Sequence, residues 1–336
     1  MYDYSQTQIT NSKRKQKKTK KSAFISFIFI LLILTLVISI KNQLQTDEKP
    51  LSPTSNLENS NLSQNNSIQT QNQTNPSSKP NTSRVTPNTI SINSKVNEVN
   101  ELFANKQGSY GWYVQSLVSG EGYGSNYDFA YTAASINKIP IMISFLQNVE
   151  SGTFSLDDKY TLTLRDIEEG SGTLQYQTLG STWTYQQLVE FSGHYSDNTA
   201  INALHHLVGF DSPQRLVDQY NLSHTNINKN TSSPKDMVTL LSVLYSQKII
   251  KDDLLNLFYK SLQNTEYEED LIPEGVPDSV AVSHKIGWQI QVWSDCGIVF
   301  SSKPYALCIM DNNISETEAR EIIPQISHKI WTWEGI

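Results

Sequence analysis

The sequence predicts an α/β (α+β) fold in which an antiparallel sheet is built from both ends of one domain and flanked by helices, with an all-helical lobe inserted. Three observations predict it. Strand-like runs lie early, at residues 110–118 and 127–132, and return late, at residues 280–288, 294–300 and 305–311. A helical rhythm fills the middle. A sheet made from both groups of strands is the simplest packing of this order.

The helices are predicted from apolar residues spaced three and four apart. The last helix begins at Glu316, where Ser315 and Glu318 have the capping-box form. No internal repeat is present in the sequence. The other predicted helices span residues 96–104, 135–149, 184–192, 198–208, 213–220, 234–246 and 252–262.

The first 93 residues differ in composition from the rest. Residues 23–40 contain no charged side chain, and about 18 apolar residues are near the lower limit for a helix that spans a bilayer. Seven lysines and arginines lie within residues 1–22, which predicts a cytoplasmic N-terminus and an exported remainder. Residues 41–93 are rich in Ser, Asn, Gln and Thr and are predicted to be a disordered linker. A single-pass cell-membrane protein with an extracytoplasmic domain at residues 94–336 is expected.

A cleaved signal peptide is the alternative interpretation of residues 23–40. Its apolar region is usually shorter and is followed by small residues at a cleavage site. The sequence ISIKNQLQ follows here, and no lipid-accepting cysteine is present. An uncleaved anchor is therefore preferred.

The charge of the predicted domain excludes one class of partner. From residue 96 onward there are 14 Lys and Arg against 29 Asp and Glu, a net charge of −15. Nucleic-acid binding requires a basic surface, so nucleic acid is not an expected partner. We expect a monomeric domain without a cofactor.

The two cysteines, Cys296 and Cys308, lie on neighbouring strand-like runs joined by a turn-like SSKP. A hairpin would place them nearly opposite each other, and an exported domain permits a disulfide. Two small buried core residues are the alternative, because cross-strand bridges need a favourable pair type. The sequence leaves both open.

Ser135 and Lys138 form a Ser-x-x-Lys pair at the start of an apolar, helix-like run. The pattern alone is weak, because residues 12–15 and 232–235 also fit it. At a helix start, however, residues three apart share a face, and the free amides of the first turn favour an anion. The Lys138 amine is therefore predicted to reach the Ser135 hydroxyl. The alternative is an ordinary helix start that carries a lysine.

Two further motifs follow in order: Ser196-Asp197-Asn198 between two helices and Lys285-Ile286-Gly287 on a strand. With the first pair they resemble the Ser-x-x-Lys, Ser-Asp-Asn, Lys-Thr-Gly triplet of class A β-lactamases and related penicillin-recognising serine enzymes. The resemblance extends over residues 96–336 and implies a β-lactamase/DD-peptidase-like fold. Supporting stretches are GSGTLQ at 170–175, SDNTAINAL at 196–204, TSSPKDM at 231–237 and SDCGIV at 294–299.

The resemblance implies a role for each motif residue. Ser135 becomes acylated, and Lys138 is its base, which requires a partly neutral amine. Burial beside a second cation, Lys285, would lower the Lys138 pKa in that direction. Ser196 relays the proton to the leaving nitrogen. Lys285 attracts a substrate carboxylate.

The remaining implied residues bind the substrate. Asn198 hydrogen-bonds the amide side chain of the substrate, and Gly287 lets the substrate lie close to the strand. The backbone N–H groups of Ser135 and Trp288 form the oxyanion hole. The implied substrate is a β-lactam or a small peptidoglycan-derived amide or ester.

Two departures from the family pattern limit the expected activity. Class A β-lactamases carry a glutamate after the second motif that activates the deacylating water, whereas residues 198–265 contain no glutamate and the loop at 221–237 looks shortened. Deacylation is therefore expected to be slow. Ile286 replaces a hydroxyl residue that helps to hold the substrate carboxylate. A non-catalytic cell-wall or ligand-binding module on the same fold is the alternative function.

Several conspicuous residues are expected to be structural. Asp197 is interpreted as the cap of the helix that starts at Asn198. His205, His206 and His284 are interpreted as surface or core histidines, because no metal-binding spacing accompanies them. Gly170 and Gly172 are expected in a loop near the cleft. No metal site is predicted.

Overall fold

The computed structural model describes residues 90–266 and 270–336. A five-stranded antiparallel sheet has the order β2-β1-β9-β8-β7, and two small two-stranded sheets pair β3 with β6 and β4 with β5. Strands from both ends of the domain therefore form one sheet, which confirms the predicted fold class. The strands are β1 (Ser109–Ser116), β2 (Gly122–Ser125), β3 (Tyr131–Thr132), β4 (Lys159–Thr161), β5 (Thr182–Thr184), β6 (Thr231–Ser232), β7 (Ala281–Gln289), β8 (Val292–Phe300) and β9 (Tyr305–Asn312).

Eight α-helices lie within the described residues, most of them between β3 and β7. Side-chain caps begin several of them: Thr184 and Gln187 form a capping box at α3, and Ser315 accepts from the Glu318 backbone N–H at α8. The helices are α1 (Ile92–Asn100), α2 (Lys138–Glu150), α3 (Tyr185–His194), α4 (Asn198–Val208), α5 (Ser212–Gln219), α6 (Pro234–Tyr245), α7 (Asp252–Ser261) and α8 (Glu316–Glu334).

Two hydrophobic cores lie on the two sides of the sheet. The lobe-side core is formed with helices α2 to α7 and contains Phe145, Leu204 and Leu240, all fully buried. The terminal-helix core contains Val99 from α1 and Ile326 from α8. Because both faces are covered, the central strands β8 and β9 are buried almost along their whole length.

Cys296 and Cys308 are opposite each other in the register of β8 and β9 and form a disulfide. They also lie in the lobe-side core. Of the two interpretations that the sequence left open, the structure has the disulfide, in a buried position. The bond joins two central strands of the sheet.

The structure corrects several predicted boundaries. The first helix begins at Ile92, not Val96, because Ser91 caps it by accepting from the Ser94 backbone N–H. Strand β2 was not predicted, since Gly122 and Gly124 weaken a strand pattern. A Cβ on Gly124 would lie only 2.1 Å from the Trp112 carbonyl oxygen, so glycine permits this close strand pairing. Of the strand-like run 127–132, only Tyr131 and Thr132 pair.

The predicted membrane segment and linker, residues 23–40 and 41–93, lie almost wholly outside the described residues, as does the basic tail. Within residues 90–266 and 270–336, none of the helices combines the length and apolar character that a bilayer crossing needs. The anchor and the extracytoplasmic location remain predictions.

Candidate active site

Ser135 lies on a 3-10 turn, Ala134–Asn137, that leads directly into α2. The sequence predicted a regular helix from Ser135, so the structure corrects its first turn. In a 3-10 turn the side chains at i and i+3 eclipse, which keeps Ser135 and Lys138 on one side. Ala134 has φ +46°, a conformation that costs free energy for a residue with a Cβ and is enriched at functional turns. Ser135 remains partly exposed, whereas Lys138 is buried.

The second motif occupies the junction between α3 and α4. Ser196 has φ +49°, and Asp197 follows as the N-cap of α4. The Asp197 carboxylate accepts from the backbone N–H of Ala200 at 2.9 Å and from those of Thr173 and Leu174 at 2.6 and 2.8 Å. The structural interpretation of Asp197 is confirmed. One buried carboxylate fixes both the motif and the loop beside it.

That loop contains Gly170 and Gly172, which lie against the second motif. Both have positive φ, and a Cβ on Gly172 would lie 2.2 Å from Asp197 Oδ2. A Cβ on Gly170 would lie 2.7 Å from Asn198 Nδ2. The expected position near the cleft is confirmed, and close approach requires glycine at both positions.

The Lys138 amine joins the first two motifs. Lys138 Nζ donates to the Ser196 carbonyl, lies 3.1 Å from Ser196 Oγ and donates to Asn198 Oδ1 at 2.7 Å. Asn198 Nδ2 in turn donates to the Glu169 main-chain carbonyl at 2.8 Å. Among the described residues, the Ser135 hydroxyl makes no hydrogen bond to Lys138. The Lys138 amine is therefore hydrogen-bonded to the second motif and not to Ser135.

The third motif lies on β7 beside the turn that carries Ser135. A Cβ on Gly287 would lie 2.5 Å from the Ala133 carbonyl oxygen, so glycine lets β7 pack directly on the backbone next to Ser135. The role in substrate approach that the resemblance implied for Gly287 stays a prediction. Ile286 is buried in the terminal-helix core, which explains an apolar residue at that position. Trp288 is 59% exposed at the end of the motif.

Burial controls the charge of both motif lysines. Desolvation lowers the Lys138 pKa well below its usual value, and the Lys285 charge lowers it further, while Asp197 opposes the shift. Desolvation also lowers the Lys285 pKa to about 8, with Asp295 opposing. Lys285 Nζ donates to the Ile286 carbonyl at 3.0 Å. Lys138 is therefore suited to be a neutral base and Lys285 to remain largely charged at neutral pH.

Two cavities meet at Ser135, and Trp288 lines both. The smaller has a volume of about 60 Å³ and is lined by Ser196 and Lys285. The larger has a volume of about 450 Å³ and is lined by Lys138 and Asn198. All the implicated residues except Gly287 thus line one or both of these cavities. Their catalytic roles stay predictions.

Sequence reasoning did not identify several residues that line these cavities, among them three with side chains suited to chemistry. His194 and Thr265 line the smaller one, and Glu168 lines the larger. Glu168 precedes the second motif, so a search for an acidic residue after that motif could not find it. His194 adjoins Tyr195 and Ser196, which was the available signal.

The other histidines are held by structural partners. His206 Nδ1 contacts Asp166 at 2.6 Å, and His284 Nδ1 contacts Asp295 at 2.9 Å. His205 Nε2 contacts the Phe210 carbonyl at 3.2 Å. Within the part of the chain that the structure describes, no cluster of three or more metal-ligating side chains is present.

Comparison with known proteins identifies the family. Residues 94–333 match the family described as "Beta-lactamase enzyme family". Beta-lactamase VEB-1 of Pseudomonas aeruginosa is 23% identical over 181 residues, which cover 48% of this chain. The chain spans 60% of the length of that curated relative.

Solved structures share the fold. PBP-A gives a TM-score of 0.67 at 25% identity, covering 71% of this chain and 94% of PBP-A. The beta-lactamase from Sphaerobacter thermophilus DSM 20745 gives 0.67 at 23% identity, covering 72% and 97%. The resemblance predicted from the three motifs is confirmed. Because the family match extends over well more than half of the sequence and the motifs converge on one cleft, the chain belongs to the beta-lactamase enzyme family.

Proposed function

We propose that this protein is a membrane-anchored, extracytoplasmic serine hydrolase whose Ser135 is acylated by a β-lactam or by a cell-wall peptide amide or ester. One observation carries the proposal. Ser135 lines one cavity with Lys138, whose pKa is strongly lowered, and another with Lys285, which retains positive charge. A nucleophile, a neutral base and a cation therefore share one cleft.

In the proposed acylation, the neutral Lys138 amine takes the Ser135 proton as Oγ attacks the carbonyl carbon. The backbone N–H groups of Ser135 and Trp288 stabilise the oxyanion. When the C–N bond breaks, the proton passes from Lys138 through Ser196 Oγ to the leaving nitrogen. The 3.1 Å contact between Lys138 Nζ and Ser196 Oγ supports this relay.

The smaller cavity is the proposed site for the carboxylate of the substrate. Lys285 supplies the charge there, and Thr265 brings a side-chain hydroxyl to the same wall. Ile286 is turned into the terminal-helix core and supplies no donor. Carboxylate binding is therefore proposed to depend on Lys285 more than in relatives with a hydroxyl at that position.

Slow deacylation is part of the proposal, because the sequence lacks the expected glutamate between Asn198 and Thr265. A penicillin G acyl-enzyme complex has been described for a point variant of PBP-A, whose structure matches this one with a TM-score of 0.67 at 24% identity. This relative supports the proposal that a protein with this fold can be acylated by a penicillin. The membrane location rests on the sequence pattern of residues 1–40 alone.

The first test is covalent labelling of the purified full-length chain with a fluorescent penicillin, measured by intact mass. We expect one adduct per chain, lost in Ser135→Ala because the nucleophile is gone. Ser12→Ala is the matched control, since Ser12 also begins a Ser-x-x-Lys pattern. That variant should label normally. Absence of an adduct in the unmodified chain would support the non-catalytic binding module instead.

The second test is the lifetime of the adduct after excess reagent is removed. Without a glutamate positioned after the second motif to activate water, we expect the adduct mass to persist for minutes or longer. Rapid hydrolysis of a chromogenic cephalosporin would contradict slow deacylation and would identify a deacylating group elsewhere. It would leave acylation at Ser135 intact.

A further inference from the structure

The larger of the two cavities has a wall of unusual composition. Its volume is about 450 Å³, and carboxamides form much of its lining. Glu168 is the acidic residue among its described lining residues. The carboxamides are Asn198, Asn202, Asn230 and Gln289. Such a wall favours a polar ligand with several hydrogen-bonding groups over a purely apolar one.

The lowered pKa values of its two basic groups shift the charge of this wall towards negative. Desolvation lowers the His205 pKa below 6.5, with the Phe210 carbonyl opposing, so its ring is mostly neutral. The lowered pKa of Lys138 likewise favours a neutral amine. Glu168 is exposed and forms no ion pair among the described residues. A carboxylate that forms no ion pair among the described residues therefore faces the space next to Ser135 and Asn198.

The backbone that carries Glu168 is fixed to the same helix as Asn198. The Glu168 N–H donates to Thr199 Oγ1 at 3.1 Å. Two residues earlier, Asp166 is buried and accepts from Tyr160 at 2.7 Å and contacts His206 at 2.6 Å. Side chains on a well-anchored backbone can discriminate between ligands. The position of the Glu168 backbone is thus a property of the fold.

We infer that Glu168, which lines the larger cavity together with Asn198, selects acyl donors that carry an ammonium group on the acyl side chain. The inference rests on the proposed function. With Lys285 in the smaller cavity and Glu168 in the larger, the cleft is positive at one end and negative at the other. A substrate with a carboxylate on the leaving side and an ammonium on the acyl side matches both ends.

Three penicillins test this selection on the full-length chain, because they differ only in the group on the acyl side chain. Ampicillin has an ammonium, penicillin G has no charge, and carbenicillin has a carboxylate. The second-order rate constant of acylation is measured by intact mass at low salt, where screening is weak. We expect the order ampicillin, penicillin G, carbenicillin.

The substitution Glu168→Gln should reduce the ampicillin-to-carbenicillin ratio by about three- to fivefold, the upper part of the range for an exposed charge pair. Glu168→Lys should invert the order. Glu169→Gln is the matched control, since it removes the same charge one residue away and its side chain lines neither cavity. It should keep the ratio within about twofold.

Two outcomes would overturn the inference. An equal loss of rate for all three penicillins in Glu168→Gln would mean that Glu168 acts on the chemistry and not on the side chain. An unchanged order in Glu168→Lys would mean that the carboxylate does not contact the acyl group. Absence of any adduct with all three compounds would instead overturn the proposed function, and this inference with it.

Discussion

His284 and Lys285 are consecutive residues of β7, and both side chains are buried, yet they have different polar partners. His284 Nδ1 lies 2.9 Å from both oxygens of Asp295, which also accepts from the Ile272 backbone N–H at 3.0 Å. Lys285 forms no ion pair among the described residues and donates to a main-chain carbonyl. Consecutive strand residues point to opposite faces, so each belongs to a different side of the sheet.

The difference shows how a buried charge that binds a ligand can be told from one that only stabilises the fold. A buried group that is paired with a buried carboxylate stabilises a local arrangement, as the contact between His284 Nδ1 and Asp295 does. A buried cation without a carboxylate costs stability, and the cost is retained where the charge serves a ligand. Lys285 is the second kind, and its positive charge also lowers the Lys138 pKa.

The largest expected effect follows from His284→Leu, which leaves the Asp295 carboxylate buried without its partner. We expect a loss of about 3–5 kcal/mol in the free energy of unfolding, measured by urea denaturation. The fraction that remains folded should lose far less acylation rate than a Lys285 variant does.

His284→Asn is the matched control for this prediction. An asparagine amide can still donate to Asp295, so part of the lost stability should return. Equal stability of the Leu and Asn variants would show that volume, and not the contact with Asp295, determines the effect.

The next effect follows from Lys285→Met, which removes the charge but keeps an unbranched side chain. We expect the acylation rate by penicillin G to fall by about 10²–10³, because carboxylate attraction is lost. Removing the repulsion raises the Lys138 pKa, so the acid limb of the pH–rate profile should move to higher pH.

Stability should change in the opposite direction in Lys285→Met. The folded pKa of about 8 lies below the usual 10.5. The buried charge therefore lowers the free energy of unfolding by its full amount below about pH 8, and this cost is lost as the pH rises from about 8 to 10.5. Removing the charge should stabilise the fold by about 1–3 kcal/mol at neutral pH. If Lys285→Met were less stable than the unmodified protein and acylated normally, Lys285 would have the structural role that is assigned here to His284.

The smallest effect is expected at Asp311, a buried charge far from the motifs in sequence. Burial raises its pKa to about 7; the Trp293 N–H hydrogen bond opposes the shift, and Glu318 adds to it. The native state therefore binds the proton more tightly than the unfolded state, and stability falls as pH rises from about 4 to 7. Above about 7 the full cost persists.

Asp311→Asn should remove this cost while keeping an acceptor for the Trp293 N–H, which now donates to Asp311 Oδ1 at 2.8 Å. We expect a gain of about 1–3 kcal/mol near pH 8 and little change near pH 4, measured by denaturation at both pH values. Acylation should be unaffected. A gain that is independent of pH would contradict the role of charge.

Local sequence signals predicted much of the fold. Helix α4 has the predicted bounds, since Asp197 caps its start and Gly209 follows its end. The Ser315 cap at α8 is equally local. Strand β2 was missed because its glycines act through close pairing with β1, which no local pattern encodes.

The candidate site shows the same limit. The order of the three motifs indicated which residues would meet, but not that Lys138 would rest on Ser196 and Asn198. Glu168 enters the cleft because Asp166 and Thr199 anchor its backbone beside α4. These contacts join residues 31 to 60 positions apart and produce no periodic pattern in the sequence.

The sequence alone determined the order of elements, the caps and the three motifs, because propensity, capping and motif chemistry depend on neighbours within a few residues. The tertiary structure decided the charge states of Lys138 and Lys285, the core position of Ile286 and the contact of Gly287 with the Ala133 carbonyl. Burial and the distance between charges set these properties, and both arise only when distant segments pack together.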